Sequence, residues 1–160
     1  MNDKSDIIDG LDHKILGMLM ENADQSYAEL AKVLFVSAGT IHVRMKKMIQ
    51  LGVIKREVLE VDYHKLGYDV TAFLGIYLEK SSLYNSVADI LKQIPEVVEA
   101  HYTTGNYSIF AKIICKDTKD LKEILTDRIQ SIEGIQRTET FISLQESINR
   151  PLTVVTKDQT

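Results

Sequence analysis

The sequence predicts an α+β protein made of two parts, because its hydrophobic periodicity changes along the chain. Up to about residue 62 the apolar residues recur every three or four positions, which is typical of amphipathic helices. Beyond residue 70, helical segments alternate with β-branched runs in the order β-α-β-β-α-β. Between Ser37 and Arg56 there are basic residues and no acidic one, although the chain has a formal net charge of −4 at pH 7.

Capping residues predict the first two helices. Asp9 is the expected N-cap of "GLDHKILGMLMEN", and Asp12 adds a negative charge in its first turn. Ser26 is the expected N-cap of "SYAELAKVL", and Glu29 completes a capping box. The segment "FVS" then leaves room only for a tight connection to a third helix.

The third helix is predicted from Ser37, which can cap it, to Leu51, with Gly52 in the position that commonly follows a helix end. Its buried stripe is expected to consist of Ile41, Met45 and Met48. The β-branched segment "VIKREVLEV" that follows is predicted to be a strand or hairpin arm. Three short helices and a strand in this order form a winged helix-turn-helix, which we place at residues 1–62 with a strand linker at 53–69.

The exposed face of the third helix has the composition expected of a recognition helix in the major groove of DNA. It carries lysines and small or β-branched residues without a carboxylate, and lysines there can neutralise phosphates. A basic face can also be merely solvated, but the preceding tight turn and the following Lys55–Arg56 pair favour DNA binding. The candidate DNA-binding residues are Ser37, Ala38, Gly39, Thr40, His42, Val43, Arg44, Lys46, Lys47, Lys55 and Arg56. Val43 is suited to a thymine methyl group, Arg44 falls nearer the core flank, and His42 suits groove contact and solvated surface equally.

The C-terminal part is predicted to be a ferredoxin-like sandwich at residues 70–150, followed by a tail at 151–160. Its strands are "DVTAFLGIYLEK", the two arms of the hairpin "EVVEAHYTTGNYSIFAKIICK", and "IQRTETFISLQ". Its helices are "SLYNSVADILKQI", with Ile90 among the inward residues, and "DTKDLKEILTDRIQSI". Gly105 and Asn106 in the hairpin turn favour positive φ. Two helices cover one face of such a sheet, so Phe141 is expected on an open apolar face that favours self-association.

The segments "AELAKVLFVSAGTIHVRMKKMIQLGVI", "LGYDV", "YTTGNYSIF" and "IQRTETFISLQ" together resemble the Lrp/AsnC family of amino-acid-responsive transcription regulators. The resemblance covers about residues 7 to 150 and is greatest to the asparagine-responsive branch. It implies a DNA-binding N-terminal domain, a ferredoxin-like effector-binding domain, homodimers, and octamers of four dimers. The family usually has glycine where this chain has Phe35, and a left-handed Phe35 would cost about 1–2 kcal/mol.

The same resemblance implies an effector site between dimers, beside the turn from Thr103 to Ser108. The candidate effector-binding residues are Tyr102, Thr103, Thr104, Gly105, Asn106, Tyr107, Ser108, Gln136, Thr138, Glu139 and Thr140. Leucine-responsive members carry two acidic residues where this chain has Asn106 and Ser108. The partner of the effector's ammonium group is therefore expected to be a backbone carbonyl or Glu139. Polar groups on the facing wall suit a carboxamide, so asparagine is the first choice of effector, with glutamine or leucine in reserve.

Other classes of protein are less consistent with the sequence. There is no Cys-x-x-Cys, spaced His pair or Gly-x-Ser-x-Gly, so we expect no catalytic residue, no metal site and no cofactor. A lone Cys115, a polar start and no apolar run of about 18 residues predict a cytoplasmic protein that does not enter membranes. The alternative is a stand-alone amino-acid-sensing or RNA-binding module, but the central strands lack the aromatic pattern that RNA readers use for stacking.

Overall fold

The computed structural model describes residues 7–152 as two compact units. Within the described chain, one unit comprises residues 7–59 and 148–152, and the other comprises Glu60–Ser147. Between residues 7 and 152 no helix is both long and apolar enough to cross a membrane.

The first unit contains the three predicted helices, α1 (Gly10–Glu21), α2 (Tyr27–Leu34) and α3 (Ala38–Gln50). The N-caps are confirmed as Asp9, Ser26 and Ser37, and the first two belong to complete capping boxes. These helices begin where they do because each cap accepts a hydrogen bond from a backbone N–H that would otherwise lack a partner.

The core of the first unit joins one face of each helix. Ile15 of α1, Leu30 of α2 and the α3 stripe of Ile41, Met45 and Met48 are all buried. The predicted stripe is therefore confirmed. Burial of that stripe leaves the opposite face of α3 directed at solvent.

The turn between α2 and α3 contains a left-handed phenylalanine. Phe35 has φ 55° and ψ 42°, and its side chain is 94% exposed. Its backbone N–H and that of Val36 both donate to the carbonyl of Ala31, which ends α2. The left-handed conformation is thus confirmed at a residue with a bulky side chain, where it is unfavourable.

The prediction of a strand after α3 is wrong. In the described chain no strand lies between Gly52 and Val70, and residues 64–66 form only a short 3-10 turn. A strand needs a neighbour for its N–H and C=O groups, and "VIKREVLEV" has none. Its apolar side chains Val58 and Leu59 are exposed as a result.

The second unit has the predicted β-α-β-β-α-β order and forms one antiparallel sheet. The elements are β1 (Val70–Leu78), α4 (Tyr84–Leu91), β2 (Val97–Tyr102), β3 (Ile109–Cys115), α5 (Thr118–Glu123) with a π-helical continuation (Ile124–Ile129), and β4 (Ile135–Ile142). The strand order β2-β3-β1-β4 is that of a ferredoxin-like sandwich, so the predicted fold is confirmed.

The helices of the second unit cover one face of this sheet. Their inward residues were predicted correctly except for Ile90, which is 42% exposed because the buried stripe of α4 is centred on Val87 and Leu91 and leaves Ile90 at its edge. The π-helical turn after α5 was not foreseen, and β4 ends at Ile142, three residues before the predicted end at Gln145. Cys115 is a buried core residue, as expected, and burial raises the pKa of its thiol to about 11.

Candidate nucleic-acid and effector sites

The solvent-facing side of α3 carries most of the predicted DNA-binding residues. Ser37, Ala38, Gly39, His42, Val43, Lys46 and Lys47 are exposed, Thr40 and Arg44 are half-buried, and Lys55 and Arg56 are exposed beyond the helix. Val43 is 66% exposed although it is apolar. No acidic residue lies in α3, so the electrostatic potential of this face is favourable to phosphate.

The first turn of α3 leaves two backbone N–H groups without an intrahelical acceptor. The hydroxyl of Ser37 accepts a hydrogen bond from the N–H of Thr40 at 3.0 Å and lies 2.9 Å from the Thr40 hydroxyl. The N–H groups of Ala38 and Gly39 precede the first intrahelical hydrogen bonds and are free to bind an acceptor. A phosphate oxygen is such an acceptor, and the helix dipole favours it there.

Arg44 points toward the start of α1, whereas Lys46 and Lys47 are exposed on the solvent-facing side of α3. Its Nη1 lies 2.6 Å from Asp9 Oδ2 and 2.9 Å from Asp12 Oδ1, both at the start of α1. The Arg44 hydrogen bond lowers the pKa of Asp9, and the Asp9 and Asp12 hydrogen bonds raise the pKa of Arg44. Sequence analysis placed Arg44 near the core flank, but its ion pair depends on tertiary structure and could not be read from helical spacing.

The turn between β2 and β3 leaves a row of backbone N–H groups unused. Within the turn, the N–H of Thr103 donates to the carbonyl of Ser108 at 3.2 Å, and the hydroxyl of Thr103 donates to the carbonyl of Tyr107. The N–H of Ser108 donates to the carbonyl of Ile76 on β1 at 2.9 Å. The four N–H groups of residues 104–107 meet no hydrogen-bond acceptor anywhere in residues 7–152. The predicted positive φ at Gly105 and Asn106 is wrong, because the turn closes without left-handed residues. A Cβ atom added to Gly105 would meet nothing within 4 Å.

Tyr107 anchors this turn to the sheet. Its hydroxyl donates to Glu139 Oε2 at 2.8 Å, while Glu139 Oε1 accepts from Tyr77 at 3.1 Å and from Arg137 at 2.6 Å. The Arg137 guanidinium also lies 3.6 Å from the centre of the Tyr77 ring. The hydrogen bond from Tyr107 lowers the pKa of Glu139, and the same bond raises the pKa of Tyr107. Glu139 is therefore a carboxylate that already has three donors.

The Tyr107 ring lies directly over Gly75 of β1. A Cβ atom on Gly75 would be only 2.4 Å from Tyr107 Cδ1. Gly75 pairs with Glu139 on β4 and with Phe110 on β3, so the missing side chain opens the space that lets Tyr107 reach Glu139. Sequence analysis missed Gly75, Tyr77 and Arg137. A glycine inside an apolar strand was the available signal, since it often marks close approach of another group.

The remaining predicted effector residues lie on other surfaces of the second unit. The hydroxyl of Thr138 accepts from Gln130 Nε2 at 3.0 Å, and Thr140 pairs with the buried Leu74, so both face the helix side. Gln136 lies two and four residues before Thr138 and Thr140 on the edge strand β4, so it points to the same face of the sheet, and it is exposed. Tyr102, on the opposite edge strand, lies with its ring centre 4.4 Å from that of Tyr84. A single chain thus brings Glu139 to the hairpin, but not Gln136, Thr138 or Thr140.

The uncovered face of the sheet is aromatic, so the expectation that its central strands lack aromatic residues suited to stacking is wrong. Phe73 and Phe110 stack at 5.9 Å, and Tyr107 and Phe141 meet edge to face at 6.3 Å between ring centres. Phe141 is 47% exposed. The expectation that Phe141 lies on the open face is confirmed.

Comparison with known proteins assigns both units. Residues 8–55 match a winged helix-turn-helix DNA-binding model, and residues 71–153 match the Lrp/AsnC ligand binding domain. The chain is 50% identical over 145 residues to Regulatory protein AsnC of Haemophilus influenzae, covering 91% of this chain and 97% of that one. It belongs to the Lrp/AsnC family.

Further relatives agree with this assignment. Regulatory protein AsnC of Escherichia coli K12 is 49% identical over 91% of this chain and 96% of its own. The structure of E. coli AsnC superposes with a TM-score of 0.87 at 48% identity, covering 91% of this chain and 98% of that one. A transcriptional regulator from Neisseria meningitidis in complex with L-methionine has a TM-score of 0.85 at 20% identity, covering 93% of this chain and 96% of that one, and shows the shared fold.

The family assignment establishes the general function of this Lrp/AsnC protein. It is a DNA-binding transcriptional regulator, like the regulatory proteins that it resembles, and not an enzyme. Within residues 7–152 no three His, Cys, Asp or Glu side chains are grouped to hold a metal ion.

Proposed function

We propose that this regulator responds to a free amino acid that binds at the β2–β3 turn, and that asparagine is the effector. The observation that carries the proposal is the row of four unused N–H groups at residues 104–107. Consecutive backbone N–H groups at a turn form an anion-binding concavity that suits an α-carboxylate. The open space around Gly105 allows a ligand to approach the backbone closely.

The ammonium group of the effector needs acceptors near the same turn. Because Glu139 already accepts from Tyr77, Tyr107 and Arg137, its main contribution is to hold Tyr107 and hence the turn in place. The backbone carbonyls of the turn and the Asn106 amide supply the acceptors for the ammonium. Glutamine and leucine remain the reserve effectors, although this polar surrounding favours leucine less than the two amides.

The side chain of the effector is recognised by a second copy of the protein. Gln136, Thr138 and Thr140 offer the donors and acceptors that a carboxamide requires, but in one chain they lie away from the turn. Association of copies through the aromatic open face supplies the apolar area for a homodimer, and further association to an octamer brings these residues to a neighbouring turn. The Neisseria regulator with this fold was solved with L-methionine, which supports an amino acid as the class of ligand.

DNA is read by the exposed side of α3, in the cytoplasm where free amino acids are available. In this proposal Val43 contacts a base edge while Lys46 and Lys47 contact phosphates. Ser37, Ala38, Gly39 and Thr40 bind a phosphate at the helix start, His42 lies beside the groove, and Lys55 and Arg56 add backbone contacts. A dimer places two such helices on a pseudo-palindromic site.

A thermal-shift screen of the twenty amino acids tests the effector proposal. Asparagine is expected to raise the melting temperature by an amount that grows with its concentration. Gly105→Val should abolish that rise while leaving the melting temperature without ligand nearly unchanged, since a Cβ atom at this position meets no protein atom within 4 Å. Sedimentation velocity with and without asparagine measures the assembly in parallel.

Two results would contradict the proposal. Full asparagine affinity of Gly105→Val in calorimetry would place the pocket away from the turn. A wild-type protein whose melting temperature responds to none of the twenty amino acids would have no amino-acid effector.

A further inference from the structure

The start of α1 and the middle of α3 are joined by one ionic cluster. Arg44 Nη1 lies 2.7 and 2.6 Å from the two carboxylate oxygens of Asp9 and 2.9 Å from Asp12 Oδ1. We propose that Arg44 is a positioning residue, which fixes the orientation of α3 through Asp9 and Asp12 and does not itself contact DNA.

The two carboxylates are rigid because the helix start holds them. Asp9 Oδ1 accepts from the N–H groups of Leu11 (3.0 Å) and Asp12 (3.1 Å), and Asp12 Oδ2 accepts from the N–H of Asp9 (3.0 Å). The side chain of Asp12 is fully buried. Arg44 therefore binds two carboxylates whose positions are set by the backbone of α1. These ion pairs oppose rotation of α3 about its own axis.

The charge of Arg44 is largely compensated by these partners. Two carboxylates lie within 2.9 Å of its Nη1, and Asp12 is also 3.8 Å from Lys47 Nζ. A compensated cation gains little from a phosphate and releases few counterions on binding. Lys46 differs, because it is exposed and has no ion-pair partner among residues 7–152. The two residues should therefore have different effects on DNA binding.

The orientation of α3 matters most for contacts with base edges. The neighbouring Val43 and the small residues of the first turn reach the groove only if the helix is held to within about 0.5 Å. Phosphate contacts of long lysine side chains tolerate larger displacement. Loss of the Arg44 cluster should consequently reduce sequence discrimination more than total affinity.

The test compares variants on a duplex selected from a random library with the wild-type protein and on a scrambled duplex, over a series of salt concentrations. Arg44→Met is expected to lower the ratio of selected to scrambled affinity about tenfold, the size of one lost base contact, without changing the salt slope. Lys46→Ala is the matched control, and should reduce the salt slope by about one unit while the ratio stays constant.

All measurements are made at a temperature where circular dichroism shows each variant to be folded. If Arg44→Met does not fold, Asp12→Asn provides the decisive comparison, because it weakens the ion pair while retaining Arg44. The proposal predicts a lower discrimination ratio for Asp12→Asn. An unchanged ratio in that variant would show that the ion pair does not control discrimination, and a salt slope reduced by one unit in Arg44→Met would show that Arg44 contacts phosphate. Either result would overturn the proposal.

Discussion

The two units hold their functional elements in different ways. In the first, α3 is fixed by its own cap at Ser37 and by the contact of Arg44 with two carboxylates of α1. In the second, the β2–β3 turn is held by Tyr107, which crosses Gly75 to reach Glu139. The orientation of α3 is thus fixed by contacts within the first unit, whereas the turn lies beside an open aromatic face of the second unit. We therefore expect the proposed effector site to depend on assembly more than the orientation of α3 does.

Among variants that test how each unit holds its functional element, Gly75→Val is expected to change stability most. The new side chain would occupy the space of the Tyr107 ring, so Tyr107 must leave and its hydrogen bond to Glu139 is lost. We expect the free energy of unfolding of the second unit to fall by about 2 kcal/mol, in the range of overpacked sites. Urea denaturation measures this. Gly105→Val is the matched control, since it introduces the same side chain into open space. Equal stability of the two variants would contradict the role given to Gly75.

Gly75 also shows where prediction from sequence ends. The caps Asp9, Ser26 and Ser37 were predicted correctly because a cap involves only residues within one turn of it. The approach of Tyr107 to Glu139 depends on strand register over 32 residues, which no local pattern specifies. The same reason explains why the partners of Arg44 were missed.

The opposite error occurred at "VIKREVLEV". Its β-branched composition correctly indicates a preference for extended structure, but composition does not provide a neighbouring strand. The ferredoxin-like order was predictable because each strand there has at least one partner strand within the same unit. Local preference therefore sufficed for elements with partners in the same unit and failed for a segment without one.

A smaller effect is expected at the α2–α3 turn, in the unit whose functional element is otherwise locally determined. Phe35→Gly removes the strain of a left-handed bulky residue, and little packing is lost because Phe35 is 94% exposed. The gain of about 1–2 kcal/mol is partly offset by the greater freedom of glycine in the unfolded chain, so we expect a net stabilisation of about 0.5–1 kcal/mol. Thermal unfolding of Phe35→Gly and Phe35→Ala measures it. Alanine removes the same ring but keeps the strain, so equal melting temperatures would show that the turn is not strained.

The smallest effect is expected from Tyr107→Phe, and it should depend on pH. Because the hydrogen bond from Tyr107 lowers the pKa of Glu139 in the folded protein below its ordinary value of 4.5, the stability that it contributes is present above pH 4.5. That stability is lost as the pH falls through the lowered pKa of Glu139. The difference in melting temperature between the wild-type protein and Tyr107→Phe should therefore be larger at pH 7 than at pH 3. Tyr84→Phe is the control, since no hydrogen bond from its hydroxyl to another residue occurs within the described chain, and its difference should not vary with pH. A difference for Tyr107→Phe that is the same at both pH values would mean that Tyr107 holds the turn by ring packing over Gly75 alone.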